Sequence, residues 1–463
     1  SSSTTCRDPG CSAQRNSTEI YVRRCDDADL MTAIRWRSDF DKHVLTVNCD
    51  KRGWQRTHSD DEWNVYWANV FSVKALFNPE TTTQRLRDDQ FVNHFPNHYE
   101  LTRKDLMVKN IRRYRKDCDK ESHIQYYNAT ANGSALPTAP LAPLHDFVPT
   151  TYLLPTDYSL FVEEFRKNPQ TTWIMKPANK AQGRGIFLVS KLTQLRKWAA
   201  GGGGAAGASG TGTPKDKNPF QALQLREPYV ISRYIERPLL IGGKKFDLRL
   251  FVLVTNFRPI TAYLYEDGFC RFCHENYTSD ITELDNLFVH LTNVAVQRRA
   301  EDYNEVHGNK WSIANLRLWL ECTRGKERAD RLFDEMKEIV IVSLKAVKPL
   351  MINDKHSFEC YGYDILIDET LKPWLVEVNA SPSLSTTTDE DRMVKLRLIN
   401  DILDVVVPPN LAEVGSRVGT SWNDARQVGG FKKILDESPP TGGSFNRKPS
   451  EGALQPSRSR LQW

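Results

Sequence analysis

No apolar run in this 463-residue chain approaches the roughly 18–20 residues that a membrane span needs, so membrane insertion is not expected. The opening stretch SSSTTCRDPGCSAQRNST has no hydrophobic segment of the kind a secretory signal carries. An excess of either charge sign is lacking as well. The net charge is +5, too small for nucleic-acid binding by bulk electrostatics. Nine cysteines, an odd number, are scattered over the chain, which fits free thiols in a reducing, cytoplasmic compartment better than a disulfide scaffold. One stretch, CRFCH from Cys270 to His274, has the spacing of a c-type haem attachment, but it lies in what reads as a hairpin, and cysteines within a strand are the simpler expectation. The glycine run at 201–219 lacks the GK[ST] ending of a P-loop, and no H-R-D or D-F-G sequence supports a kinase.

The composition, 40% hydrophobic and 26% charged, is globular and leaves room for two or three packed units. Residues 1–28 read as a disordered tail, 29–145 as an N-terminal domain ending in a basic segment and a polar connector, and 146–240 as a central domain. Residues 201–219 read as a flexible insertion within that central domain. Residues 241–408 form a further domain, followed by a disordered tail over 409–463. From about 147 to 405, strand-like and helical segments alternate, an α/β (α+β) signature.

The stretch Trp374-Leu-Val-Glu-Val-Asn379 carries a glutamate and an asparagine inside an apolar strand. Period-two geometry puts Glu377 and Asn379 on one face with Leu375, and sends Trp374, Val376 and Val378 into a core. The preceding strand, about 360–368, is joined to it by Glu369-Thr-Leu-Lys372. A register pairing Asp368 with Pro373 sets Asp364 opposite Glu377, with Cβ atoms about 4.5–5.5 Å apart. Two such carboxylates repel unless a cation lies between them, and oxygen ligands beside an amide suit Mg²⁺. From the hairpin alone, a metal and a simple pairing with Lys or Arg both remain open.

Lys245, Asp247 and Arg249 alternate with Phe246, Leu248 and Leu250, so the three charges share a face. In TTWIMKPANKAQGRGIFLV an apolar strand ends in Lys176, and a loop holding Gln182, Gly183, Arg184 and Gly185 leads to the strand Ile186–Val189. A lysine beside free backbone amides is a phosphate grip in the making.

Taken together, WIMKPANKAQGRGIFL, YVISRYIERPLLIGGKKFDLRLFVLV, VHLTNVAVQ and CYGYDILIDETLKPWLVEVNASPSLS resemble the tubulin–tyrosine-ligase-like family of ATP-grasp enzymes over roughly residues 50–408. The run RLRDDQFVNHFPNHYELTRKDLMVKN resembles its polyglutamylase members. The resemblance implies an ATP-grasp fold with N-terminal, central and C-terminal lobes and the nucleotide between the last two. It also implies ATP contacts from Lys176, the 182–185 loop, the hinge Ser232-Arg233-Tyr234-Ile235, Lys245 and Asp247, with His290, Thr292 and Asn293 bordering the site. Lys245 and Arg249 fall on the basic pair near phosphate, Arg271 on the arginine that receives the carboxylate of the incoming amino acid, and Asp364, Glu377 and Asn379 on the Mg²⁺ ligands.

The chemistry so implied is ligation. ATP converts an acceptor carboxylate to an acyl phosphate, and the amine of free glutamate displaces phosphate to leave an isopeptide bond on a glutamate side chain of a tubulin C-terminal tail. Microtubules and accessory subunits of a polyglutamylase complex follow as partners, and a cytoskeletal or ciliary location, at the basal body or axoneme, as the setting. Glycine as donor or a non-tubulin acceptor remains an alternative reading. A silent assembly protein is disfavoured, because Lys176, Asp364, Glu377 and Asn379 are all present. The basic cluster Arg103, Lys104, Lys109, Arg112, Arg113, Arg115 and Lys116 is open to two readings, a steering patch for an acidic peptide or a solvated helix face.

Overall fold

The computed structural model describes residues 33–80, 85–131, 146–180, 182–199, 228–280, 283–300, 309–386, 388–408, 411 and 425–438. Three β-sheets organise these residues. The first, ordered β2-β1-β3-β4, is parallel and built from β1 Arg35–Ser38, β2 Gln55–Arg56, β3 Val65–Trp67 and β4 Phe91–Val92. The second is antiparallel, ordered β5-β8-β6-β7, from β5 Thr151–Leu154, β6 Trp173–Pro177, β7 Phe187–Val189 and β8 Tyr229–Arg233.

The third sheet is the frame of the molecule. Its path is β14-β13-β10-β11-β16-β15, from β10 Lys244–Phe257, β11 Ile260–Phe272, β13 Glu359–Ile367, β14 Pro373–Asn379, β15 Gln427–Val428 and β16 Phe431–Asp436. β9 (Leu240–Ile241) adds to β10, and β12 (Lys310–Ser312) to β11. Both faces of β10 are covered, as its near-continuous apolar sequence requires. Leu248, Leu250, Val252 and Val254 join the cluster built with Leu332, Met336 and Ile339 of the helix Lys326–Val347. Phe251 and Leu253 join the opposite cluster, with Leu398, Ile399 and Ile402 of the helix Asp389–Val406. Lys245, Asp247 and Arg249 therefore extend the face that this second helix covers.

Three expectations change. The helix Lys104–Ala131 runs on through residues read as connector, and its buried Met107, Val108 and Ile111 anchor it in the main core. The tail read as disordered from 409 contributes β15 and β16, with Phe431 fully buried. Its Gly429-Gly430 turn looked like linker sequence, but it fits against Asp401. The Gly430 amide donates to Asp401 Oδ2 at 2.8 Å, and a Cβ on Gly429 (φ +53°) would fall inside that carboxylate. Thirdly, the strand carrying Glu377 is bulged, as described below. The tail 1–28, the insertion 201–219 and most of 409–463 lie outside the described residues. Of the nine cysteines, the six within them, Cys270 and Cys273 included, are free.

Candidate active site

A cleft opens between the second and third sheets. Its apolar wall holds Ile174, Ile186, Val230, Leu366 and Leu375, a surface suited to a flat aromatic base. Ser232, Arg233, Tyr234 and Ile235 run along its edge at the end of β8, and Thr292 and Asn293 border it opposite. Gln182 and Gly183 close one side, in backbone conformations of positive φ (64° and 73°). Gly183 lies so near Val296 that a Cβ would come within 2.9 Å of its Cγ2, so the glycine loop and the Thr292–Val296 turn meet as one wall. Arg184 is exposed, bonded to Gln182 at 3.2 Å, and neither it nor Gly185 lines the cleft.

Lys245 is nearly fully buried. Its ammonium donates to Tyr234 Oη and to the His290 carbonyl, both at 2.9 Å. Tyr234 Oη in turn donates to His290 Nδ1 at 2.9 Å, and His290 Nε2 donates to the Glu283 carbonyl at 3.0 Å. This chain requires a neutral imidazole. Burial, with Lys245 nearby, lowers the His290 pKa to about 4. Burial also lowers Lys245 itself. Lys176, at the far end of β6, is lowered to about 8 by desolvation and by Lys104 and Lys245, against the pull of Glu377 and Asp364.

On the hairpin β13–β14, Asp364 does stand opposite Glu377, but not by the uniform register expected. The strands begin paired as Ile367 with Pro373 and Ile365 with Leu375, one residue out of that register. A bulge at Val376 then restores it for Asp364–Glu377, Tyr363–Val378 and Gly362–Asn379. The bulge breaks strict alternation: Val376 lines the cleft instead of entering the core, while Leu375 both lines the cleft and packs in the main core. Trp374 is half-buried, its indole donating to Asp368 at 2.9 Å.

Each carboxylate here is met by cations. Arg249 Nε reaches Asp364 Oδ1 at 2.6 Å, and Arg271 Nη2 reaches Asp364 Oδ2 at 2.8 Å. Arg271 also forks onto Asp247 at 2.8 and 2.5 Å. Burial opposes ionisation of Asp364, yet Arg249 and Arg271 outweigh it and hold the carboxyl well below the usual range. Gly362 permits this: a Cβ there would lie 3.1 Å from Arg249 Cδ. Glu377 pairs with Lys104 at 3.0 Å, and the Asn379 carboxamide lies 3.4 Å from Glu377 Oε1. Arg271 is thus a buried brace between two aspartates, not the open fork expected of an arginine awaiting a substrate carboxylate.

A profile of the tubulin–tyrosine ligase family matches residues 81–414. The chain belongs to the tubulin–tyrosine ligase family. It is 50% identical over 407 residues to the probable alpha-tubulin polyglutamylase Ttll1 of Tetrahymena thermophila, covering 88% of this chain and 93% of that protein. It is 40% identical over 427 residues to the probable tubulin polyglutamylase TTLL9 of mouse (89% and 88% covered). To the much longer mouse tubulin polyglutamylase TTLL5 it is 32% identical over 389 residues, covering 81% of this chain and 24% of that protein. A tubulin–tyrosine ligase chain is of the ATP-grasp type.

Two residues at this site, Lys310 and Lys395, were not singled out by the sequence, and a third, Lys104, only as one of a basic cluster. Lys104, the first residue of its helix, enters the cleft, bonding Glu377 and the Lys180 carbonyl (3.1 Å). Lys310 stands beside Arg271 across β12–β11, and with Lys395 it closes on Asp391 at 3.2 and 3.0 Å. Both lysines lie near the Phe269 ring, at 4.8 and 6.0 Å. A lone lysine on an edge strand or helix carries no motif, so only the cross-strand row Lys310–Arg271–Asp247 could have flagged it. The proposed steering cluster is mostly spent internally. Arg103 pairs with Asp105, Arg113 donates to the Ala346 carbonyl, and Arg112 and Arg115 approach Asp157 and Asp146.

Proposed function

We propose that this chain is an ATP-dependent ligase that adds glutamate to glutamate side chains in tubulin C-terminal tails. The observation that carries it is one continuous sheet face. It runs from the paired carboxylates Asp364 and Glu377 through Arg249 and Arg271 to Lys310, with Lys395 of the helix Asp389–Val406 set against its end, beside the cleft. With Lys104 and Lys245 at its margin, six cations stand with four carboxylates (Asp247, Asp364, Glu377 and Asp391), a surplus that suits a polyphosphate and acidic amino acids together. The named relatives, polyglutamylases that match most of the chain, support the same reading.

Asp364, Glu377 and Asn379 fit Mg²⁺: hard oxygen donors on adjacent strands, with cations already drawn to both carboxylates. They would hold the ion, and ATP would lie with its base along Ser232–Ile235 and its phosphates near Lys176, Lys245, Gln182 and Gly183. Bound there, ATP and Mg²⁺ supply activation of the acceptor carboxylate as an acyl phosphate, which an amine displaces.

The protein's own groups do the rest. Arg249 and Arg271 fix Asp364 in its ionised form and in one orientation. Lys104, which pairs with Glu377 here, would be free to meet phosphate charge once Glu377 held the ion. Lys176, poised near pH 8, gains from phosphate the neutralisation that the protein withholds. Lys310 and Lys395 hold the side-chain carboxylate of the incoming glutamate, in exchange for part of their contact with Asp391. That favours an acidic donor over glycine. The division into three lobes, with the nucleotide between the central and C-terminal ones, belongs to the same reading. So do microtubules and accessory subunits as partners and a cytoskeletal, ciliary location. Among the described residues no helix is long and apolar enough to cross a membrane. Mass spectrometry of tubulin tails after incubation with the chain, ATP, Mg²⁺ and mixed amino acids tests the proposal. Glutamate-sized additions are expected, and glycine additions or none overturn it.

A further inference from the structure

The metal-ligand hairpin is closed at one end by its turn, where Asp368 bonds Thr370, Lys372 and Trp374. Its open end, where β13 begins and β14 stops, is held by a residue from the first sheet's neighbourhood. His94, just after β4, bonds Glu359 through Nδ1 (2.8 Å) and Ser381 through Nε2 (3.3 Å). Glu359 is the first residue of β13, and Ser381 lies two residues past Asn379. Glu359 Oε2 also accepts from the Phe95 amide at 3.1 Å, which locks the carboxylate and hence the imidazole. His94 and Glu359 are buried, at 1% and 0% exposure, whereas Ser381 is exposed. Further along, Leu384 packs against the second core cluster and Lys395 and Lys42 bond Ser385, so the His94 hydrogen bond is the tie nearest the end of β14, where Ala380–Ser383 line an open cavity. β4 is stitched to the same region, since the Val92 amide donates to the His356 carbonyl and the Phe358 amide to the Val92 carbonyl (2.8 and 3.0 Å).

From this geometry we infer that the Glu359–His94–Ser381 bridge is a positioning device: it fixes the exit of β14 and thereby the aim of the Asn379 carboxamide and Glu377 carboxylate at the metal. The inference rests on the proposed metal role of those residues. Its chemistry is that of an outer partner orienting a ligand, whose loss costs about 10–100-fold in metal affinity.

The test uses the full chain with a non-hydrolysable ATP analogue and Mn²⁺ as a paramagnetic substitute for Mg²⁺, followed by electron paramagnetic resonance. Ser381→Ala removes the exposed end of the bridge without touching the buried pair. It should weaken Mn²⁺ binding about tenfold, leave metal-free nucleotide binding unchanged, and speed backbone hydrogen exchange over 377–382. Ser381→Thr keeps the hydroxyl and should restore binding, which a mere packing role would not require. Glu377→Gln serves as the reference. If it binds Mn²⁺ as the unaltered chain does, the metal reading itself falls. If it loses Mn²⁺ while Ser381→Ala binds normally, the bridge has no positioning role.

Discussion

The hairpin wall of the cleft and the nucleotide wall both carry buried charge, but they hold it differently. On the hairpin, Asp364 is answered by Arg249 and Arg271, Glu377 by Lys104, and the strands themselves are pinned at both ends. On the nucleotide wall, Lys176 ends a strand beside a loop of positive-φ residues, and Lys245 is spent on a hydroxyl and a carbonyl with no carboxylate in contact. The first wall has its charges paired before anything binds, and in the proposed reading only Lys104 must let go of its partner. The second has positive charge left over, and a ligand's phosphates are what would satisfy it. Such a division preorganises the groups that must be accurate and leaves affinity to the groups that must release product.

The largest effect should come from emptying the hairpin wall. Glu377→Gln is expected to lower labelled-glutamate transfer to tubulin at least about 100-fold, more than loss of an outer partner would, with an unchanged circular dichroism spectrum. Full activity would sink the assignment. Asp364→Asn leaves Arg249 without its carboxylate and Arg271 with Asp247 alone, and should cost about 3 kcal/mol of stability; a denaturant titration that finds less than about 1 kcal/mol, the range of surface pairs, would mean this wall is not the rigid one. Next, Lys310→Met should raise the KM for glutamate about tenfold, the loss of one charge-assisted contact, while the KM for ATP stays within about twofold. Equal shifts in both would remove Lys310 from donor recognition.

The nucleotide wall should respond to pH instead. Lys176 is lowered to about 8, so its charge is present below that value and lost as pH rises through it. ATP-analogue affinity measured by titration should therefore decline between about pH 8 and 9, and Lys176→Met should flatten that profile at a weaker affinity. A profile unchanged by the substitution would assign the effect elsewhere. The smallest effect is expected at the hairpin's closed end. Trp374→Phe loses one hydrogen bond to Asp368, about 1 kcal/mol of stability, with glutamate transfer nearly unaltered, because the turn is held by other bonds as well.

Much of the site was legible in the sequence because alternation is a property of one strand. Lys245, Asp247 and Arg249 share a face for purely local reasons, and so do the apolar residues between them. Hairpin proximity likewise made Asp364 and Glu377 partners, though the pairing survived only because the bulge at Val376 offset a one-residue error at the turn. The burial expected for Val376 failed for the same reason.

What the sequence by itself determined, then, are the strand faces, the family and the set of residues proposed for phosphate and metal. Tertiary structure alone decided which cations those carboxylates meet. Lys104 lies 273 positions before Glu377 and reaches it only because its helix is anchored in the main core by Met107 and Ile111. His94 likewise spans two strands far along the chain, Lys310 and Lys395 converge on Asp391, and β16 completes the sheet from a segment that reads as tail. The physical reason is common to all of them. Backbone geometry fixes periodicity within a few residues, whereas which distant side chains share a buried space is set by how whole elements pack and by the cost of leaving any charge there without a partner.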